Sequence, residues 1–184
     1  RYAISSLNMS EYIASLTTVG TPHHGSVTVD KLLKLPEFII KFVAGCSDIW
    51  LRICGDKSPN AYEVFHTFTT EAAEEFNRNN PDMPEVYYQS YAFVMKHVWS
   101  DMLMLVPGTV VKILEGPNDG LLAPRAVEWT NFRGVITGNS NRGISHCDEV
   151  DLRRRKLTGR QGEGISDITE FYVNIVKDLY EKGF

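Results

Sequence analysis

Ser15-Leu16-Thr17-Thr18-Val19-Gly20-Thr21-Pro22-His23-His24-Gly25-Ser26 decides how this chain is read. Tyr12 to Val19 is a short run rich in apolar and β-branched residues. Stopped by Gly, Pro and Ser, it predicts a buried strand that delivers a loop. Two later runs share its character. Val86-Tyr87-Tyr88-Gln89-Ser90-Tyr91-Ala92, bounded on its near side by Pro84, predicts a second strand, and Phe132 to Thr137 predicts a third.

Helical patterns lie between and after these runs. From Val27 to about Cys54 the apolar residues fall nearly all round, and Pro36 suits a first turn, so one or two short helices are expected. Phe65 to Asn77 predicts a helix with Thr69 or Thr70 near its cap, closed by Asn79-Asn80-Pro81. Val98 to Leu114 is apolar but broken by Pro107-Gly108, and it runs into the turn Gly116-Pro117-Asn118-Asp119-Gly120. At the end, Ile168, Phe171, Tyr172, Ile175, Val176 and Leu179 keep the spacing of an amphipathic helix, with Asp167 and Glu170 as a capping box and Gly183 as its stop. Strands alternating with helices predict an α/β fold with a mainly parallel sheet. Residues 1–184 contain no internal repeat, low-complexity tract or interdomain linker, and read as one domain.

Composition narrows the function. With 43% apolar and 11% aromatic residues, the chain has the means to build a core. A net charge of −4 gives no basic excess, and the one dense cationic run, Arg153 to Lys156, has the size of a solvated face, so nucleic acid is not an expected partner. Lys41, Asp48 and Arg52 interrupt the best apolar segment before it reaches the roughly 18 residues of a membrane span. The three cysteines fit no C-x-x-C zinc framework. Cys46 and Cys54 read either as a short-loop disulfide in an oxidising compartment or as two reduced thiols. Asn8-Met9-Ser10 matches the N-glycosylation pattern, which matters only in a secreted protein.

In open α/β sheets the functional side chains sit on loops at the C-terminal ends of strands, because those loops converge on one crevice. Three loops qualify: one with His23 and His24, one with Asp119, and one with His146 and Asp148. A serine hydrolase of this architecture orders its triad Ser, acid, His, and Asp119 before His146 keeps that order. A short carboxylate held in an Asn-Asp-Gly turn can accept the imidazole Nδ1–H, fix its tautomer and stabilise the imidazolium. The alternative is an ordinary turn and a surface histidine.

Several segments together resemble the triacylglycerol lipases of the bacterial type, a family with fungal members. Residues 15–26 are similar to that family's strand and loop just after the nucleophile elbow. Phe76-Asn77, Pro81-Asp82, Pro84 and Tyr88-Gln89-Ser90-Tyr91-Ala92 resemble its next stretch, Gly116 to Leu122 with Trp129 its acid loop, and His146-Cys147-Asp148 its histidine loop. The likeness covers most of the chain outside residues 27–64 and 153–164. It implies the C-terminal part of an α/β-hydrolase fold, with a mainly parallel sheet, flanking helices and a helical lid insertion at 27–64. The same apolar helices could instead be core packing.

By this resemblance Asp119 is the catalytic acid and His146 the general base of a lipase that cleaves acylglycerol esters at a lipid interface. No G-x-S-x-G occurs in the sequence, and Arg1-Tyr2 resembles the helix leaving that elbow. The nucleophilic serine is therefore expected from a missing N-terminal part, and this chain alone is expected to be inactive. No cofactor is needed for the chemistry. In some family members the Asp two positions after the histidine helps bind a structural calcium, so Asp148 is the candidate metal ligand, or else a plain surface acid. His23 and His24 take a structural place. An extracellular location follows from the resemblance only. Two alternatives stay open: a carboxylesterase for soluble short-chain esters, and a non-catalytic hydrolase-like binding module.

Overall fold

The structure is a computed structural model that describes residues 1–53, 55–136, 138, 140–152, 165 and 167–184. Cys54, Thr137 and the cationic run at 153–156 lie outside the described residues, and with them the test of a Cys46–Cys54 bridge. Among the described residues the elements run α1 (Tyr2–Ser5), β1 (Ser15–Val19), α2 (Val27–Leu32), α3 (Glu37–Ile53), α4 (Ala61–Thr67), α5 (Thr70–Asn79), β2 (Tyr87–Phe93), α6 (Leu105–Leu114), α7 (Pro124–Val127), β3 (Phe132–Ile136), α8 (His146–Glu149) and α9 (Ile168–Glu181), with two short 3₁₀ turns.

The three expected strands form one parallel sheet in the order β1-β2-β3. β2 is central and nearly all buried, as a strand covered on both faces must be. Its alternate side chains divide the core. Tyr91 and Phe93 pack with Ile144 and with Ile168, Phe171 and Ile175 of α9, and the Phe171 ring meets both aromatic rings edge-on at 5.1 Å. Ala92 points the other way, to Leu122, Ala126 and Val127. Burying each large apolar side chain contributes about 1.5–3 kcal/mol, so the amphipathic stripe of α9 suffices to seat it on the sheet. Asp167 caps α9 by accepting the Thr169 N–H at 2.7 Å.

Three helical expectations are modified. The segment after Pro36 forms one 17-residue helix rather than short pieces. It buries Ile40 and Ala44 and leaves Phe38, Phe42, Ile49 and Ile53 exposed along one face. The helix expected at 65–77 is two helices, because the Thr69 hydroxyl accepts the Ala72 N–H and starts a new one at Thr70. Pro107-Gly108 does not break α6. Pro107 falls in the first turn, where its N–H would have no helical partner in any case. Gly108 allows a close approach there, since a Cβ would stand 3.1 Å from the Gly120 Cα and from the Met95 Cε, tighter than ordinary contact. The helix can thus lie directly against the turn that holds Asp119.

A candidate active site at the end of the central strand

The residues that follow β2 gather two distant loops. The Met95 N–H donates to the Asn118 carbonyl at 2.8 Å, and the Val94 carbonyl accepts the Ile144 N–H at 3.0 Å. Lys96 N–H adds a bond to the Arg142 carbonyl at 2.8 Å. The loop bearing Asp119 leaves helix α6, not a strand as expected, and reaches the crevice through this tie to Met95.

Each loop is rigid for local reasons. The Asn118 side chain accepts the Gly120 N–H at 2.8 Å and donates to the carbonyls of Gly108 and Gly116. Asp119 is 1% exposed, and its Oδ1 accepts the N–H groups of Leu121 and Leu122 at 2.8 and 2.7 Å. On the other loop, Ser145 starts α8 through a capping box with Asp148. The Ser145 hydroxyl also donates to Asp101 at 2.7 Å, so a buried carboxylate from the segment after β2 anchors the start of this helix.

The sequence candidates Asp119 and His146 come together. Asp119 Oδ2 lies 3.0 Å from His146 Nδ1, and the His146 main-chain N–H donates to the Asp119 carbonyl at 2.8 Å. A third group, absent from the sequence expectations, joins them: Glu149 is 2% exposed, and its Oε2 is 3.4 Å from the same Nδ1. Its signal was present, because the Ser145-x-x-Asp148 box starts the helix at His146 and puts residue 149 on the same face, three positions on. Burial works against charge on His146, but hydrogen bonds and charges from Asp119 and Glu149 outweigh it and raise the imidazole to about 10. Burial lifts Glu149 to about 8. Asp119 is also pushed up by burial, yet the His146 bond and charge leave it below its ordinary value.

Asp148 does not join this group. Its Oδ2 accepts the Ser145 N–H at 3.1 Å and stands 3.6 Å from the Arg142 guanidinium, a cation already beside it. Among the described residues no grouping of three His, Cys, Asp or Glu ligand atoms includes Asp148. Cys147 packs with Met95 and Met104. His23 and His24 stand apart from Asp119 and His146, flanking the Trp129 ring. His23 stacks on it at 5.2 Å and bonds Thr18 Oγ1 through Nε2 at 2.9 Å, and burial, then the charge of Arg1, lowers it to about 4. A cavity of about 820 Å³ opens beside His23, with Thr18, His66, Phe68 and Phe76 in its walls, and Asp119, His146 and Glu149 are not among its lining residues.

No protein-family model matches the chain. It is 30% identical over 194 residues to Triacylglycerol lipase 2 of Saccharomyces cerevisiae, a match covering all of this chain and 54% of the yeast protein. The chain thus spans about half the length of the curated relative it matches. Among solved structures, a Staphylococcus hyicus lipase superposes on 90% of this chain and 56% of its own, with a TM-score of 0.57 and 16% identity. A Bacillus licheniformis lipase in mature form gives a TM-score of 0.49 at 19% identity, over 72% of this chain and 49% of that one. With its parallel sheet, its flanking helices and a match over all of its own length to about half of the yeast protein, the chain is a homologue of a triacylglycerol lipase and carries part of an α/β-hydrolase fold.

Proposed function

We propose that this chain supplies the acid and the general base of a lipase that hydrolyses acylglycerol esters through a Ser-His-Asp triad, the serine coming from an N-terminal part outside these 184 residues. The observation that carries the reading is the 3.0 Å contact of His146 Nδ1 with the sealed carboxylate of Asp119, while a third of the His146 side chain stays open. In that arrangement Asp119 keeps the proton on Nδ1, so that once Nε2 has given up its own proton that nitrogen is the one that takes the serine proton as the hydroxyl attacks the ester carbonyl. The same nitrogen returns the proton to the departing glycerol oxygen, and water then releases the acyl group by the reverse route. The chemistry needs no cofactor. The chain alone, without a nucleophile, should not turn over substrate.

The lid reading rests on α2, α3 and α4. The Thr28 N–H and hydroxyl bind Glu115 at 2.8 and 2.7 Å, Asp30 accepts from Thr70, and Asp48 of α3 accepts the Ala61 N–H of α4 at 2.7 Å. The base is therefore pinned, while α3 presents four large apolar side chains outward. Such a face suits contact with lipid. Among the described residues no helix is long and apolar enough to cross a membrane. An extracellular location is part of the proposal and rests on family resemblance alone.

The test uses the complete protein. His146→Ala is expected to cut turnover by roughly 10⁴-fold or more. Near-normal rates would remove His146 from the mechanism. Faster hydrolysis on emulsified long-chain acylglycerols than on dissolved short-chain esters supports the lipase, and no rise at the emulsion interface supports the carboxylesterase. A complete protein with no G-x-S-x-G and no hydrolysis would instead be a binding module.

A further inference from the structure

We infer that Glu115 is a positioning residue for the catalytic acid: its carboxylate clasps the two ends of the Asp119 loop and fastens them to the first turn of α2, so that the base of the 27–64 insertion and the acid loop move as one piece. The inference rests on the triad reading above and goes beyond it, since a triad does not say what holds its acid loop from outside.

The two oxygens of Glu115 serve different elements. Oε1 accepts the Thr28 N–H at 2.8 Å and the Thr28 hydroxyl at 2.7 Å, with the Ser26 hydroxyl at 3.5 Å. Oε2 accepts Nε and Nη2 of Arg125 at 3.3 and 3.2 Å. Glu115 caps the end of α6 just ahead of Asp119, and Arg125 lies in α7 just beyond it. The ion pair therefore closes the base of the loop that carries the acid. The Glu115 side chain is only 2% exposed, so its lone pairs need partners, and on Oε1 the start of α2 supplies them.

The same stretch of chain grips the loop a second time. The His24 N–H donates to the Ala126 carbonyl of α7 at 3.0 Å. Residues 24–28 thus reach both ends of the acid loop, α7 through His24 and α6 through Thr28. α2 is held from behind as well, where Asp30 accepts the Thr70 N–H at 3.0 Å and the Thr70 hydroxyl at 2.7 Å. Inside the loop, Asn118 and Asp119 bond to their own turn, which fixes its shape. Its bearing on His146 comes from outside ties: the Met95 N–H on Asn118, the His146 N–H on Asp119, and the Glu115 clasp on the two ends. Misplacing a catalytic group by about 1 Å can cost on the order of 10²-fold in rate, so losing one of these ties should cost less than that but a measurable amount.

The experiment measures kcat and KM of Thr28→Val, Thr28→Ser, Glu115→Ala, Glu115→Gln, the combined Thr28→Val and Glu115→Ala variant, and His146→Ala. It uses the complete protein, with an emulsified long-chain acylglycerol and a dissolved short-chain ester as substrates. Glu115→Ala is expected to lower kcat about 10-fold and Thr28→Val about 5-fold, by the same factor on both substrates and with KM within about two-fold. The combined variant should stay within about two-fold of Glu115→Ala, because both changes cut one link. Thr28→Ser keeps the hydroxyl and should hold the parent rate, while Glu115→Gln keeps an oxygen for Thr28 and should lie within about three-fold of it. A structural role alone would lower the melting temperature of these variants and leave kcat in place. The inference is overturned if Thr28→Val keeps the parent kcat, if the two losses multiply in the combined variant, or if they appear on the emulsion only, which would mean that the insertion acts through access to lipid. Should Glu115→Ala fail to fold, Thr28→Val against Thr28→Ser decides. If His146→Ala keeps its rate, the triad reading has failed, and the clasp falls with it. If His146→Ala is inactive while Thr28→Val is not slowed, the clasp alone is refuted.

Discussion

Asp119 and His146 are joined twice, by the 3.0 Å side-chain contact and by the 2.8 Å bond from the His146 main-chain N–H to the Asp119 carbonyl. The second bond does not depend on the carboxylate, so the loops can stay together when the side chain is changed. The carboxylate has a separate structural duty, because Oδ1 satisfies two N–H groups, those of Leu121 and Leu122. Asp119→Ala should therefore destabilise the complete protein by about 2–5 kcal/mol, leaving those donors without their acceptor, whereas Asp119→Asn keeps an Oδ1 and should cost less than half as much. Urea unfolding of the two variants checks this. Equal losses would show that the loop does not rely on the carbonyl-like oxygen.

Much of this arrangement is legible in the sequence, for reasons that can be named. β-branched and aromatic runs between Gly and Pro mark all three strands, and the 3.6-residue stripe from Ile168 to Leu179 marks α9. The order and the turn residues of Asp119 and His146 allow an acid and a base on separate loops but equally an ordinary turn and a surface histidine, and it is the resemblance to the lipase family that singles the pair out. The start of α6 is not legible, because Pro107 reads as a breaker until its place in the first turn is known. Glu149 is not, because its interest lies in burial: as sequence it is one acid among 23 Asp and Glu residues. Asp148 has a role that the sequence does not show, since only the fold reveals its carboxylate held as a cap beside Arg142.

The charged cluster sets a pH dependence of stability. Glu149, raised by burial from 4.5 to about 8, binds its proton more tightly in the folded state, so its contribution is complete below about pH 4.5 and lost as pH rises through 8. His146, raised from 6.5 to about 10 because Asp119 and Glu149 outweigh burial, contributes fully below 6.5 and loses that contribution as pH rises through 10. Asp119 acts in the opposite sense: burial opposes its charge, the His146 bond wins, and its contribution is lost as pH falls through its lowered value. Unfolding free energy of the complete protein should therefore decline between about pH 5 and pH 10. Glu149→Gln should flatten the lower half of that decline. A curve that is level or rising across this window would contradict the protonation states assigned here.

Ser145 links the base to the sheet. Its hydroxyl caps α8 at the Asp148 N–H and donates to Asp101, so one oxygen ties the histidine helix to the segment after β2. Ser145→Ala should cost about 1–3 kcal/mol, a lost cap plus a lost bond to a buried carboxylate. Because the change lets His146 tilt without touching substrate, kcat should fall while KM stays within about two-fold. Thermal melting and steady-state kinetics read the two effects. A variant with an unchanged melting temperature and unchanged kcat would remove Ser145 as an anchor.

Gly20 connects the first strand of the sheet to the acid cluster. Its φ is +55°, and its N–H donates to the Tyr91 carbonyl at 3.1 Å, so the chain turns away from β2 at this point. Alanine there incurs a left-handed backbone cost of about 1–2 kcal/mol. It also drives a methyl to 2.0 Å from Glu149 Oε2, a separation only a displaced carboxyl could relieve. The two costs can be separated by a double-mutant cycle. Gly20→Ala in the native background should lose about 2–4 kcal/mol, and in a Glu149→Ala background only the backbone part, giving a coupling of about 1–2 kcal/mol. The same displacement should lower kcat in the native background but add little to Glu149→Ala. Additive losses would mean that the carboxyl of Glu149 does not rest against Gly20.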